Sequence, residues 1–327
     1  MNQFQYYRAT TQKAAIDILT KDADAQYIAG GTNLIDLMKK GITMPLKLVD
    51  INRLPLKNIR KTKTGIRVEA LALNSQVAEN AVIIKQHPLL SQALNSGASQ
   101  QLRNMATVGG NIMQRTRCPY FYDVSLPCNK RKPGSGCSAL EGYNRMHAIF
   151  GASEHCIAVH PSDMCVALLA LDAIVVVAGS KGERSIPLGD FHRLPGDHPE
   201  KDNVLRKGEL IVAVDIPDGP FGKNVYYLKV RDRASYAFAL VSVAAALTIN
   251  GGLIKDVRLA MGGVAHKPWR LMEAEKHLVG KTVSTASFRQ AAEIAMKDAK
   301  AYEHNRFKLK LAPNAIVEAL QKAAGIV

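Results

Sequence analysis

Four of the chain's five cysteines, Cys118, Cys128, Cys137 and Cys156, fall in one segment, with nine, eight and eighteen residues between successive members. Thiolates are soft ligands, so four of them in a loop able to converge point to a metal site. The spacing departs from the paired Cys-x2-Cys knuckles of common structural zinc sites. An iron–sulfur cluster is larger than one ion and accepts wider spacings, and four thiolates complete a [4Fe-4S] centre. Iron–sulfur, zinc and unliganded thiols are the readings that spacing leaves open. Pro119, Pro127 and Pro133 with Gly134, Gly136 and Gly142 supply the bends, and His147 and His155 are candidate substitute ligands. The fifth cysteine, Cys165, sits in the apolar run 164–169 and reads as a buried thiol.

A second chemistry-bearing pattern occurs twice, as Ala29-Gly30-Gly31-Thr32-Asn33 and, just before the cysteines, as Thr107-Val108-Gly109-Gly110-Asn111. The first copy lies where a strand gives way to a helix. Glycine lets backbone N–H groups converge there, and a helix N-terminus adds positive potential suited to phosphate. One copy alone is an ordinary tight turn. Two copies are able to grip one pyrophosphate from two sides, with Thr32, Asn33, Thr107 and Asn111 adding side-chain hydrogen bonds. A third glycine pattern, Gly134-Ser135-Gly136, has no preceding strand and is rejected as a dinucleotide fingerprint. No Gly-x-Ser-x-Gly elbow, His-Glu-x-x-His or Walker A sequence is present.

The elements that must position these residues follow from periodicity and punctuation. Helix 11–20, strand 25–29 and helix 33–40 precede strand 47–50, a strand pair within 58–72, and helices near 76–79 and 89–97. After the cysteines, 167–177 runs from helix into a valine-rich strand, 194–202 is a surface loop, and strand 209–216 ends at a linker, 218–222, taken as a domain boundary. The last third alternates strand 225–230, an apolar run 238–249, an Asn250-Gly251-Gly252 hairpin turn and strand 254–261, then helices 272–278, 285–298 and 315–323. The fold class expected is α+β.

At 327 residues with 47% apolar content, the chain can bury a sizeable core in two or three domains. No apolar run approaches the roughly 18 residues of a bilayer span, and the first residues lack the pattern of a secretory signal. The net charge of +15 is spread along the chain and aromatic content is 6%, which argues against an interleaved nucleic-acid surface. The charge suits an anionic cofactor or an acidic partner.

Read together, Phe4-Gln5-Tyr6, the segments 28–34 and 103–111, His160-Pro161-Ser162-Asp163, Lys207-Gly208-Glu209-Leu210-Ile211 and Tyr227-Leu228-Lys229-Val230-Arg231 occur in the order found in the FAD-binding subunits of the xanthine-oxidase family of molybdenum hydroxylases, which the chain resembles along its whole length. Arg117-Cys118-Pro119-Tyr120-Phe121-Tyr122-Asp123 and Pro127-Cys128-Asn129-Lys130 resemble the subgroup with an inserted [4Fe-4S] loop, the three-subunit bacterial aldehyde oxidoreductases above all.

The resemblance implies the FAD-binding fold of the vanillyl-alcohol-oxidase (PCMH) type, with subdomains 1–57 and 58–217, an iron–sulfur loop at 115–158, and a C-terminal α+β flavoprotein domain, 222–327. It implies that Ile28, Ala29, Gly30, Gly31, Thr32, Asn33 and Leu34, with Thr107, Gly110 and Asn111, hold the pyrophosphate and ribityl chain of FAD. Asp163 would bond a cofactor hydroxyl, Leu210 would pack near the ring system, and Lys229 would lie at the isoalloxazine edge. Cys118, Cys128, Cys137 and Cys156 would carry the cluster. No residue of this chain would be catalytic toward substrate. The implied partners are a molybdenum-cofactor-binding large subunit, a [2Fe-2S] small subunit and an external electron acceptor, with neither nucleic acid nor a membrane span. The resemblance favours the periplasm over the cytoplasm, reached with a partner's twin-arginine signal. The competing expectation from the residues alone is a zinc-stabilised basic binding module without redox activity.

Overall fold

Strands β1 (Gln5–Arg8), β2 (Ala25–Ile28) and β3 (Lys47–Asp50) form a parallel sheet in the order β1-β3-β2 in a computed structural model that describes residues 1–327. Parallel neighbours need crossovers, which the helices Gln12–Lys21 and Leu34–Lys39 supply. Thr11 caps the first helix, its hydroxyl accepting from Ala14 N–H at 3.2 Å. Strand β2 ends at Ile28, so the first glycine pattern leaves the end of this sheet.

The second sheet is antiparallel, ordered β4-β5-β8-β6-β7, from β4 (Ile59–Lys61), β5 (Gly65–Glu69), β6 (Ile174–Gly179), β7 (Gly182–Pro187) and β8 (Leu210–Pro217). Central β8 is apolar because both of its faces are covered. Leu210, Val212 and Ala213 face the core under the first sheet, while Ile211, Val214 and Ile216 face the larger core on the other side. Val212 and Ala213 share a side because the pairing with β6 shifts by one there, a bulge that interrupts strict alternation.

The third sheet, β12-β11-β10-β9, is an antiparallel meander of β9 (Asn224–Val230), β10 (Val241–Asn250), β11 (Leu253–Gly262) and β12 (Trp269–Arg270). Gly251 and Gly252 turn the β10–β11 hairpin at φ of 57° and 74°, which favours glycine. Val241, Val243, Ala245 and Leu247 pack with the helices Met272–Leu278, Thr285–Ala295 and Lys308–Ala324, whereas Ala244 and Ala246 join the core of the second sheet. Burial on both faces explains the apolar run at 238–249, which only Ser242 and Thr248 interrupt.

The structure departs from the sequence expectations in identifiable ways. The second glycine pattern is no open turn: Val108–Ile112 is a short helix capped by Thr107, whose hydroxyl accepts from Gly110 N–H at 3.2 Å. The last helix begins at Lys308 rather than 315 and carries Pro313 in its second turn, where the ring removes the N–H that would reach Leu309 O. The helix expected at 285–298 ends at Ala295. Helices Ala81–Gln86, Gln100–Arg103 and Pro119–Tyr122 and strands β1 and β12 had no place in the sequence reading, being too short for periodicity to show.

Candidate functional site: a two-lobed cleft beside a cysteine loop

Gly30 brings the two glycine patterns into contact. A Cβ on it would lie 1.8 Å from Met105 O, so only glycine lets the first turn press on the backbone leading into the second. Gly31 follows at φ 72°, and Gly109 rests on β5, its N–H donating to Ala70 O at 2.8 Å. No N–H of Gly30, Gly31, Thr32 or Asn33 has a backbone acceptor. A run of free donors at a chain reversal is a receptor for anionic oxygen.

Two cavities meet at these turns. The first, about 400 Å³, is lined by Ile28, Ala29, Gly30, Gly31, Thr32, Asn33 and Leu34 with Thr107, Gly110 and Leu210. The second, about 770 Å³, shares Thr32, Asn33 and Gly110 and adds Asn111, Asp163 and Lys229. The cleft thus gathers every residue expected to hold a cofactor, but it separates Leu210 in the first lobe from Lys229 in the second. Asn33 spans the junction; its Oδ1 accepts from Arg115 N–H at 2.9 Å, and its buried Nδ2 has no partner. Asn74, in the second lobe, likewise keeps a buried, unpartnered Oδ1. Buried polar atoms of this kind need a partner, and both point to a ligand rich in hydrogen-bonding groups.

Asp163 and Lys229 form an ion pair of 2.7 Å, with 8% and 4% of their side chains exposed. Lys229 also donates to Ser96 O at 3.1 Å. The Tyr227 hydroxyl donates to Asp163 Oδ1 at 2.8 Å and lies 3.0 Å from Ser242 Oγ. Burial, then the charge of Asp163, pushes the Tyr227 phenol well above its ordinary range, so it stays a donor. Each carboxylate oxygen of Asp163 keeps a lone pair for a further donor. Tyr227, Ser96 and Ser242 were not singled out from the sequence; alternation along β9 places Tyr227 and Lys229 on one face and is the pattern that reveals Tyr227.

The four cysteines cluster with Leu37, Phe121, Ala139, Ile157 and Ala158 in a small core of their own. None is in a disulfide. The backbones of Cys128 and Cys137 pair in an isolated antiparallel bridge, and the neighbouring Cys156 thiol pushes the Cys137 thiol below its ordinary range. Burial pushes Cys118 up to about 12, with His147 Nε2 at 3.1 Å from its sulfur. The loop is tied to the body by Lys130, which donates to Asp202 and, at 2.8 Å, to Pro199 O, and by Arg115, 2.6 Å from the same carboxylate. Burial alone would raise Asp202, but Lys130 and Arg115 hold it at about 2. A cavity of about 150 Å³, walled by Cys118, His147, Ser162 and Asp163, separates the loop from the second lobe.

The one set of three His, Cys, Asp or Glu ligand atoms within 4.8 Å of one another is His160, Cys165 and His192, so no three loop sulfurs lie that close. Tetrahedral zinc, with Zn–S near 2.3 Å, holds its thiolates about 3.8 Å apart. In the His160 group, Ser162 N–H points to His160 Nδ1 at 3.4 Å and His192 Nε2 lies 2.9 Å from Ile112 O. His160 Nε2 and His192 Nδ1 are buried without a hydrogen-bond partner.

The family model for the FAD-binding domain in molybdopterin dehydrogenase matches residues 2–219, and that for the CO dehydrogenase flavoprotein C-terminal domain matches residues 226–323. This chain belongs to the FAD-binding subunits of the xanthine-oxidase family of molybdenum hydroxylases. It is 48% identical to the aldehyde oxidoreductase FAD-binding subunit PaoB of Escherichia coli K12, over 99% of each chain. It is 30% identical to the glyceraldehyde dehydrogenase medium chain of Sulfolobus acidocaldarius, over 86% of this chain and 83% of that one. The carbon monoxide dehydrogenase of Hydrogenophaga pseudoflava shares the fold, at a TM-score of 0.78 and 24% identity over 99% of this flavin subunit and 98% of that chain. Quinoline 2-oxidoreductase from Pseudomonas putida 86 aligns at a TM-score of 0.77 and 25% identity, over 99% and 98% of the two chains. The subunit is therefore an oxidoreductase component that binds FAD, and the binding module without redox activity is set aside. No helix is long and apolar enough to cross a membrane.

Proposed function

We propose that this chain is the electron outlet of an aldehyde-oxidising molybdenum hydroxylase, carrying FAD in the two-lobed cleft and a [4Fe-4S] cluster on Cys118, Cys128, Cys137 and Cys156. The observation that carries the reading is the junction of the lobes at the two glycine patterns, in a chain 48% identical to an aldehyde oxidoreductase FAD-binding subunit. Bound FAD would supply the exchange of electrons between [2Fe-2S] centres of a small partner subunit and an external acceptor, with aldehyde oxidation on a molybdenum-cofactor-binding large subunit.

The chain's own residues bind and orient. The free N–H groups of residues 30–33 receive the pyrophosphate, with Thr107 and Gly110 lining the same cavity. Leu210 covers the ring at the first-lobe end, which is then the adenine, while Asp163 offers acceptors to the ribityl hydroxyls and Asn111, whose Oδ1 already accepts from Gln114 and Ser162, offers its Nδ2–H. Lys229 places a cation in the second lobe, where it favours anionic reduced flavin. The division into 1–57, 58–217 and 222–327 is proposed on the three sheets. The thiol spacing supports a cluster over a single zinc ion. The likeness to the aldehyde oxidoreductase type also supports a periplasmic complex exported through a partner's twin-arginine signal.

An ultraviolet–visible spectrum of anaerobically purified protein, followed by acid extraction, tests the reading. The expected result is one FAD and about four irons per chain, as a four-thiolate cubane requires. Flavin without iron would remove the cluster; zinc without flavin would overturn both.

A further inference from the structure

His147 is 2% exposed, and its Nε2 lies 3.1 Å from Cys118 Sγ. Its position is fixed through its backbone: His147 O accepts from Lys308 Nζ at 2.9 Å and from Asn305 Nδ2 at 3.2 Å. Lys308 is fully buried at the start of the last helix, and its only other partner is Gly263 O at 2.8 Å. Its amine meets carbonyl oxygens and no carboxylate, and burial, then the charge of Arg145, pushes it down to about 7. An unpaired buried cation is costly unless a negative charge lies close by. A cubane bound by four thiolates is anionic, and Cys118 is one residue's width away, across His147.

We propose that His147 donates Nε2–H to the sulfur of Cys118 as an iron ligand, and that Lys308 positions His147 and, kept protonated by the anionic cluster, adds positive charge, the two together raising the reduction potential of the cluster. This rests on the [4Fe-4S] reading above. Reduction adds negative charge to the cluster and its sulfurs. A hydrogen bond to a ligating sulfur and a nearby cation both stabilise the reduced form more than the oxidised one. The arrangement also ties the C-terminal helices to the cysteine loop, a contact that Arg145 extends by stacking over Phe307 at 4.6 Å.

The test is an EPR-monitored redox titration of the chain, purified anaerobically with the subunits that co-elute, together with iron counts. His147→Leu removes the donor, His147→Gln retains one, and Lys308→Met removes the charge at similar length. The expected result is full iron in the parent and a fall in the cluster midpoint for His147→Leu and Lys308→Met. A tenfold change in the reduced-to-oxidised ratio corresponds to about 59 mV for one electron. His147→Gln should recover most of the shift. Loss of iron in the leucine variant but not the glutamine variant would equally assign the role to the donor. Unchanged midpoints with full iron, or loss of iron in both His147 variants, would overturn the proposal. A parent without iron would instead fail the cluster reading itself.

Discussion

Asp163 and Lys229 are unequal partners despite their shared ion pair. Lys229 has a carbonyl as its other acceptor, whereas Asp163 also holds the Tyr227 hydroxyl. Replacing Asp163 by Asn leaves a buried ammonium without its counter-charge, a change that typically costs about 3–5 kcal/mol. Asp163→Asn should therefore lower the melting temperature more than Lys229→Met, and FAD content should fall in both; equal stability losses would show that the Tyr227 hydroxyl does not sustain the carboxylate once the lysine is gone. The glycines divide in the same way. Gly30→Ala drives a Cβ against Met105 O and must part the two turns, whereas Gly31→Ala meets Ile35 Cγ1 at 3.1 Å and mainly incurs the left-handed backbone penalty, about 1–2 kcal/mol. Fluorescence titration with FAD should show Gly30→Ala as the weaker binder. The reverse order would mean that the junction of the turns is not where the pyrophosphate sits.

At the scale of elements, the cysteine loop depends on a strand-free anchor, the cross-link of Lys130 and Arg115 to Asp202. Asp202 is held near 2 in the fold against about 3.9 unfolded, so the unfolded chain binds the extra proton and stability is lost as pH falls between those values. The loss amounts to about 2 kcal/mol on the linkage relation. Unfolding measured from pH 6 to pH 2.5 should show this slope, and Asp202→Asn should flatten it while loosening the loop toward protease. What the sequence showed and hid at this scale has a physical basis. The hairpin at Asn250-Gly251-Gly252, the strand feeding Gly30 and the amphipathic helices were legible because turn chemistry and periodicity are local. Thr107 as a helix cap and the Asp202 anchor were not, since a five-residue helix has no period and Asp202 lies 72 residues from Lys130. The cluster of four thiols was visible by composition, but the placement of His147 against Cys118 depends on a loop closing over 29 residues.

The molecule as a whole is less divisible than its two family models suggest. The second lobe takes Asn111 and Asp163 from one region and Lys229 from the other. The largest core contains Val225, Tyr227, Ala244, Ala246 and Ala260 beside the helix Asp163–Ala170, so a cut at the linker exposes apolar surface on both halves. Small side chains are what permit this contact. Gly262 shows it, because a Cβ there would come within 2.6 Å of Val166 Cγ2. If each half built its own site, residues 1–219 alone would bind FAD as the whole chain does. The geometry predicts otherwise: expressed separately, 1–219 and 223–327 should aggregate or retain little flavin, and coexpressed they should copurify as a yellow complex. Flavin retained by 1–219 alone at the affinity of the intact chain would show that Lys229 and its sheet serve assembly with other subunits, with no part in holding the cofactor.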